Sequence, residues 1–303
     1  MVKIIYEEFA EVFDGTVVQI LATAKNQKLL ERAAYSFAAL PSTVFGDAEG
    51  GIVRWVSPEE TIDNRPGVIL QLWVTGTGKK AQDNLYDKLG RRMRQGILVV
   101  PTTAVFNSLE PENKSLESEN KFEMMNNVGH CGDGFEKIVE KYDRELISVP
   151  IMMGYDFLVE RYLNFTDGIM GGNLWFFCDS VDSGLEAGEI AVETILNIDG
   201  AITAFNICSA GSKVETNYPE IGPTTNHWYC PTLRNEIKDS EVPKDVKSIP
   251  EIVINGISIE VVKKAMKEAA EAVQDVKGLK IISAGNFGGK LGSHKIYLED
   301  VLK

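Results

Sequence analysis

The chain has 303 residues, about twice the length of one average domain. It carries 31 Lys and Arg against 44 Asp and Glu, a net charge of −13, with 44% hydrophobic and 25% charged residues. This balance is too apolar for a disordered chain and too acidic for a nucleic-acid binder held by phosphate contacts. Nor does any apolar run approach the roughly 20 residues of a membrane span.

The predicted elements fall into two similar series. Residues 16–23 (TVVQILAT) are rich in β-branched side chains and predict a buried strand. Residues 25–39 follow with Leu29, Leu30, Ala33, Ala34 and Phe37 at helical spacing. Short apolar runs at 42–45, 52–56 and 68–74 predict strands, separated by the turn sequences DAEGG and DNRPG. A second amphipathic helix is expected over 81–94, with Leu85, Leu89 and Met93 on one stripe, and a strand over 96–100. A polar loop is expected over 108–121.

In the second half, NLWFFC at 173–178 predicts a strand, and Ser183 a helix cap for a segment running to about Asn197 with Leu185, Val192, Ile195 and Leu196 inward. Strands are expected at 201–205 and 251–255, with a long proline-containing polar stretch between them. Ser258 caps the clearest helix, whose stripe runs from Val262 to Val276 before Gly278. Strands at 280–284 and 294–298 complete the series. Both halves therefore read β-α-β-β-α-β, which predicts an α+β fold of two ferredoxin-like (split βαβ) lobes from an internal duplication, 1–147 and 148–303.

Glu7, Glu8 and Glu11 stand where a secretory signal needs an apolar run, so a cytoplasmic location is expected. There Cys131, Cys178, Cys208 and Cys230 would remain free, and Cys208 and Cys230 read as small buried apolar groups. The charge of −13 fits either a self-repelling surface that limits aggregation or a salt-rich cytoplasm.

The candidate chemistry is sparse. SAGNFGGKLG at 283–292 follows a strand, but Ala284 and Leu291 break the phosphate-loop pattern. It reads either as a plain turn or as a wall whose N–H groups approach a planar or anionic ligand. Two more glycine clusters, 129–134 and 168–173, have the same two readings. His130, His227 and His294 lack metal-ligand spacing, so no metal site is expected. Lys88, Arg91, Arg92 and Arg94 at a helix end read either as a solvated face favoured by the helix dipole or as a seat for a carboxylate-bearing substrate. Glu251 begins an apolar strand, where partial burial would raise its pKa, although an ordinary strand-end Glu fits the same position.

Several of these segments resemble one family. EIVINGISIEVVKKAMKEAAEAV at 251–273, GLKIISAGNFGGKLGSHKIYLEDVL at 278–302, TTNHWYCPTL at 224–233, GIMGGNLWFF at 168–177, CGDGF at 131–135 and PTTAVFN at 101–107 are similar to formylmethanofuran:tetrahydromethanopterin formyltransferases. ETIDNRPGV at 60–68 and EEFAEVF at 7–13 extend the similarity over essentially the whole chain.

The resemblance implies reversible formyl transfer from the amine of methanofuran to N5 of tetrahydromethanopterin in the one-carbon metabolism of methanogenesis. It implies these two coenzymes as substrates, no tightly bound cofactor, and a homotetramer built as a dimer of dimers. It implies Glu251 as the acid–base carboxylate. It implies a substrate cleft drawn from Gly132, Asp133, Gly134, Gly171, Gly172, Asn173, Asn226, Ser283, Gly285, Asn286, Gly288, Gly289 and Lys290. The departures from the family pattern are a leader shortened to residues 1–6, an altered 38–45 segment, Arg94-Gln95-Gly96, and a loop shortened to Phe205-Asn206-Ile207. The alternative they raise is an inactive formyltransferase-like copy that binds a coenzyme or serves as a complex subunit.

Overall fold

The computed structural model describes residues 2–43, 46–109, 120–213, 216–220 and 222–303. It is a mixed α+β structure that packs as two compact units, one of Gly15–Asp167 and one combining Met1–Asp14 with Gly168–Lys303. These limits differ from the expected division at 147/148, which falls inside the strand Arg144–Ile151. Among the described residues, no helix is long and apolar enough to cross a membrane.

The unit Gly15–Asp167 takes most of β1 (Phe9–Thr23), then α1 (Gln27–Ala38), β2 (Glu49–Val56), β3 (Gly67–Thr75), α2 (Gly78–Arg92) and β4 (Ala104–Asn107). Its strands pair antiparallel in the order β4-β1-β3-β2. Alternation along β1 and β3 sends Val18, Ile20, Ala22, Leu70 and Leu72 to one face, against Leu30, Ala34 and Phe37 of α1 and Leu85 and Leu89 of α2. Asn26 starts α1 by accepting the Leu29 N–H at 3.0 Å.

The expected strand at 96–100 is instead a wide helical turn, Met93–Leu98, continuing α2. Met93 and Ile97 keep the buried stripe, and Gly96 lies so close to Phe37 that an added Cβ would stand 3.0 Å from its backbone N. The strand comes later, as β4. Ser42 and Thr43 form no strand, and residues 44–45 lie outside the described residues. Of the expected polar loop, 110–119 also lie outside them, and Lys121–Glu123 is a strand.

The other unit repeats the order with β5 (Tyr162–Cys178, from Gly168 onward), α3 (Val181–Ile195), β6 (Ala201–Thr203), β7 (Glu251–Gly256), α4 (Ile259–Ala272) and β8 (Leu279–Ser283). The antiparallel sheet order is β8-β5-β7-β6, the same permutation. Ser258 caps α4 as expected, accepting the Val261 N–H at 3.2 Å. The cap of α3 is Ser180, not Ser183, so this helix starts earlier than predicted. Leu185 consequently faces outward, 48% exposed, while Ala187, Ala191 and Ile195 face the core.

The strand β5 decides where chemistry can occur in this unit. Leu174, Phe176 and Cys178 face α3 and α4. Trp175 and Phe177 face the opposite side, which is covered by Val242, Val246 and Tyr229 of the long connection between β6 and β7.

Candidate active site

Three neighbouring strands set Ser283, Trp175 and Glu251 in one row, because Trp175 is the direct register partner of both others. Directly opposed residues of antiparallel strands share a face. The Trp175 indole Nε1 donates to Glu251 Oε1 at 2.8 Å. Burial pushes the Glu251 carboxyl above its ordinary value, and hydrogen bonds from Trp175 and the Cys208 thiol pull the other way.

A cleft of about 300 Å³ opens onto this carboxyl. Its walls come from the start of α3, from 207–211, from 225–232 and from 247–250. Tyr229 stands edge-on to Trp175, with ring centroids 4.9 Å apart, and separates this cleft from a smaller cavity of about 220 Å³. The smaller cavity is lined by Glu8, Trp175, Tyr229, Glu241, Ser283 and Asn286, among others. Burial and the neighbouring Glu241 push the Tyr229 hydroxyl up, so it stays protonated. The cleft therefore offers a carboxyl whose protonated form is favoured by burial, held in a wall of aromatic side chains.

The residues expected to bind substrate separate into groups. Glu251 and Asn226 line the cleft, and Asn226 Oδ1 is buried without a hydrogen-bond partner among the described residues. Ser283 and Asn286 line the smaller cavity, where Asn286 donates to Glu8 at 2.5 Å. Asn173 and Gly285 lie behind the site. The Asn173 side chain donates to the Gly285 carbonyl at 3.0 Å and accepts its N–H at 2.7 Å, as a strand neighbour would. Gly285 lies on the Trp175 ring, and a Cβ there would stand 2.5 Å from it.

Gly171 and Gly172 serve packing rather than the cleft lining. Gly171, at φ +88°, lies against Phe13, and Gly172 lies under Val262. The loop of Gly288, Gly289 and Lys290 does gather N–H groups around an anion, but the anion is the protein's own. Gly289 and Leu291 both donate to the buried Glu11 carboxylate. Gly132, Asp133 and Gly134 belong to the unit Gly15–Asp167, where Asp133 takes a left-handed conformation and Gly134 N–H donates to Glu136.

The basic run at the end of α2 is structural. Arg92 donates to the carbonyls of Phe37, Ala39, Leu40 and Ala48, and Lys88 pairs with Asp47 at 2.8 Å. Among the described residues, no three His, Cys, Asp or Glu side chains gather as metal ligands.

Sequence reading overlooked Trp175, Tyr229 and Cys208. The alternation of NLWFFC could have flagged Trp175 as the odd-face residue. Cys208 carried no signal, and its reading as a small buried apolar group is corrected, since it is only partly buried and is paired with Glu251. Cys230 likewise shares a polar contact, with Thr232 Oγ1 at 3.1 Å.

The repeated strand order and a buried carboxyl at the base of a cleft describe a mixed α+β protein with a candidate acid–base site. Comparison with known proteins places it further. Residues 2–151 match the family profile described as formylmethanofuran-tetrahydromethanopterin formyltransferase, and residues 155–301 match that of the formyltransferase proximal lobe. A formyltransferase-like protein from Archaeoglobus fulgidus is 56% identical over 98% of this chain and 96% of its own length. The formyltransferase of Methanothermobacter thermautotrophicus is 40% identical over 98% of this chain and 97% of its own. The solved formyltransferase of Methanosarcina barkeri matches with a TM-score of 0.88 at 37% identity, over 99% of this chain and 98% of that one. A chain of the formyltransferase/hydrolase complex of Methylorubrum extorquens, solved with methylofuran, matches with a TM-score of 0.85 at 33% identity, over 98% and 96%. The chain belongs to the formylmethanofuran:tetrahydromethanopterin formyltransferase family.

Proposed function

We propose that this protein moves a formyl group reversibly between the amine of methanofuran and N5 of tetrahydromethanopterin, with Glu251 carrying the proton. The observation that supports this most is the buried Glu251 carboxyl at the base of the cleft, its pKa raised by desolvation. Transfer of a formyl group between two amines needs little else from side chains. N5 attacks the formyl carbon, a tetrahedral oxyanion forms, N5 gives up a proton, and the departing amine takes one. A single carboxyl can serve both proton steps, contributing roughly 10²–10⁴ in rate. No covalent bond to the enzyme is needed, so the two coenzymes are substrates rather than resident cofactors.

Asn226, Ser283 and Asn286 are the expected binding residues that line the two cavities, and in this reading they contact substrate. Asn173 and Gly285 act by holding Trp175. Gly132, Asp133 and Gly134 stay with the substrate-binding set on resemblance alone. The fold in this reading is a pair of ferredoxin-like lobes, which the shared strand permutation supports. In this reading the sequence repeat divides at 1–147 and 148–303, while the compact units are Gly15–Asp167 and Met1–Asp14 with Gly168–Lys303. A cytoplasmic homotetramer completes the proposal on the family resemblance.

The alternative of an inactive copy rests on the shortened 205–209 loop, with Phe205-Asn206-Ile207 at its start, and on Arg94. That loop carries Cys208, which pairs with Glu251 through two backbone hydrogen bonds, so the carboxyl keeps its seat. The deciding experiment is formyl transfer assayed with both coenzymes, in the parent and in Glu251→Gln. The expected loss in kcat is at least about 10²-fold. Turnover near the parental rate in the variant would remove Glu251 from the mechanism.

A further inference from the structure

The chain leaves β6, makes a short excursion and returns beside the first residue of β7. Cys208 N–H donates to the Glu251 carbonyl at 2.8 Å, and Glu251 N–H donates to the Cys208 carbonyl at 3.0 Å. The two residues form an isolated antiparallel bridge. Side chains directly opposed in such a bridge lie on the same face. The bridge accordingly sets the Cys208 thiol beside the Glu251 carboxyl, where the thiol pulls the carboxyl down and the carboxyl pushes the thiol up. Burial and the adjacent carboxyl push the thiol up, which keeps it S–H and therefore a donor.

We propose that Cys208 is a positioning residue for Glu251. Its backbone bridge pins the strand end, and its thiol holds the carboxyl beside Trp175 in the orientation needed for proton transfer. This rests on the reading of Glu251 as the proton carrier. Two donors, one rigid indole and one thiol carried on the backbone bridge, restrain the carboxyl rotamer without closing the cleft. They also favour the ionised form, offsetting part of the effect of burial. The other titratable groups lining the cleft are Tyr229, Cys230 and Lys247. They are unchanged between parent and variant, so a difference between the two isolates the thiol.

The test uses Cys208→Ala and Cys208→Val, which remove the donor with and without loss of volume, and Cys208→Ser, which restores one. The kcat–pH profile is measured with both coenzymes. In the two donorless variants the limb that reports Glu251 is expected to move to higher pH. Their kcat should fall about three- to tenfold with KM little changed, the size of one lost hydrogen bond. Cys208→Ser should return the limb toward the parental position. A second readout needs no turnover: infrared titration of the protonated carboxyl band that disappears in Glu251→Gln. Its midpoint should rise in the donorless variants and return in Cys208→Ser. An unchanged midpoint in a folded donorless variant, or a Cys208→Ser midpoint that matches the Ala variant, overturns the proposal. If the infrared midpoint moves but the parent transfers no formyl group, the positioning stands and the proposed reaction falls.

Discussion

Glu251 illustrates a conflict between stability and chemistry at one residue. Its folded-state pKa lies above the unfolded value because burial disfavours the anion. The folded state thus binds this proton more tightly than the unfolded chain. The contribution is favourable below the unfolded pKa and is lost as pH rises through the folded one. Glu251→Gln, neutral at every pH, escapes that loss. The variant is expected to melt at a higher temperature than the parent at neutral and alkaline pH, with the gap closing toward pH 4 or so. Parallel melting curves at all pH values would show that burial does not govern this group. Glu11 is the contrasting case. It too is buried, but backbone N–H groups of the glycine-rich loop occupy its carboxyl oxygens, so it organises that loop.

At the scale of elements, the site depends on a stack running from Asn173 through Gly285 to Trp175 and Glu251. Asn173 pins the strand-following loop, the loop backbone lies flat on the indole, and the indole holds the carboxyl. Gly285→Ala would drive a methyl into the Trp175 ring, an overpacking cost of about 1–3 kcal/mol. It should also lower kcat by displacing the Nε1 donor, which denaturant melts together with turnover would reveal. A variant with unaltered stability and rate would mean that the loop relaxes freely. Asn173→Ala would leave the buried Gly285 N–H and carbonyl without partners, at about 1–3 kcal/mol. The elements themselves were largely legible, because α1 and α4 follow plain rules of apolar spacing and capping. The turn after α2 was not, since Gly96 and the short apolar run around it suit a strand as well as a helical continuation. Only contact with Phe37 decides between them.

For the molecule as a whole, the charge of −13 sets the response to salt. Like charges repel across the folded surface, and screening shortens their reach to about 3 Å at 1 M salt. The melting temperature is therefore expected to rise from low ionic strength to about 1 M KCl and then level off. Static light scattering over the same range should show larger assemblies gaining at the expense of smaller ones, if acidic copies associate. A flat melting temperature and a constant mass would show that the acidic groups are too well dispersed to matter.

The sequence by itself determined the doubled β-α-β-β-α-β order, the helix faces and the candidate carboxyl. These follow from local spacing, caps and a family pattern that a linear reading can carry. Tertiary structure alone decided what the glycines do and what holds Glu251. The partners are far apart along the chain: Asn173 and Gly285, Gly289 and Glu11, Trp175 and Glu251, Cys208 and Glu251. Sheet registers and loop returns create these meetings, and a buried polar group acquires its chemistry only once its neighbours in space are set.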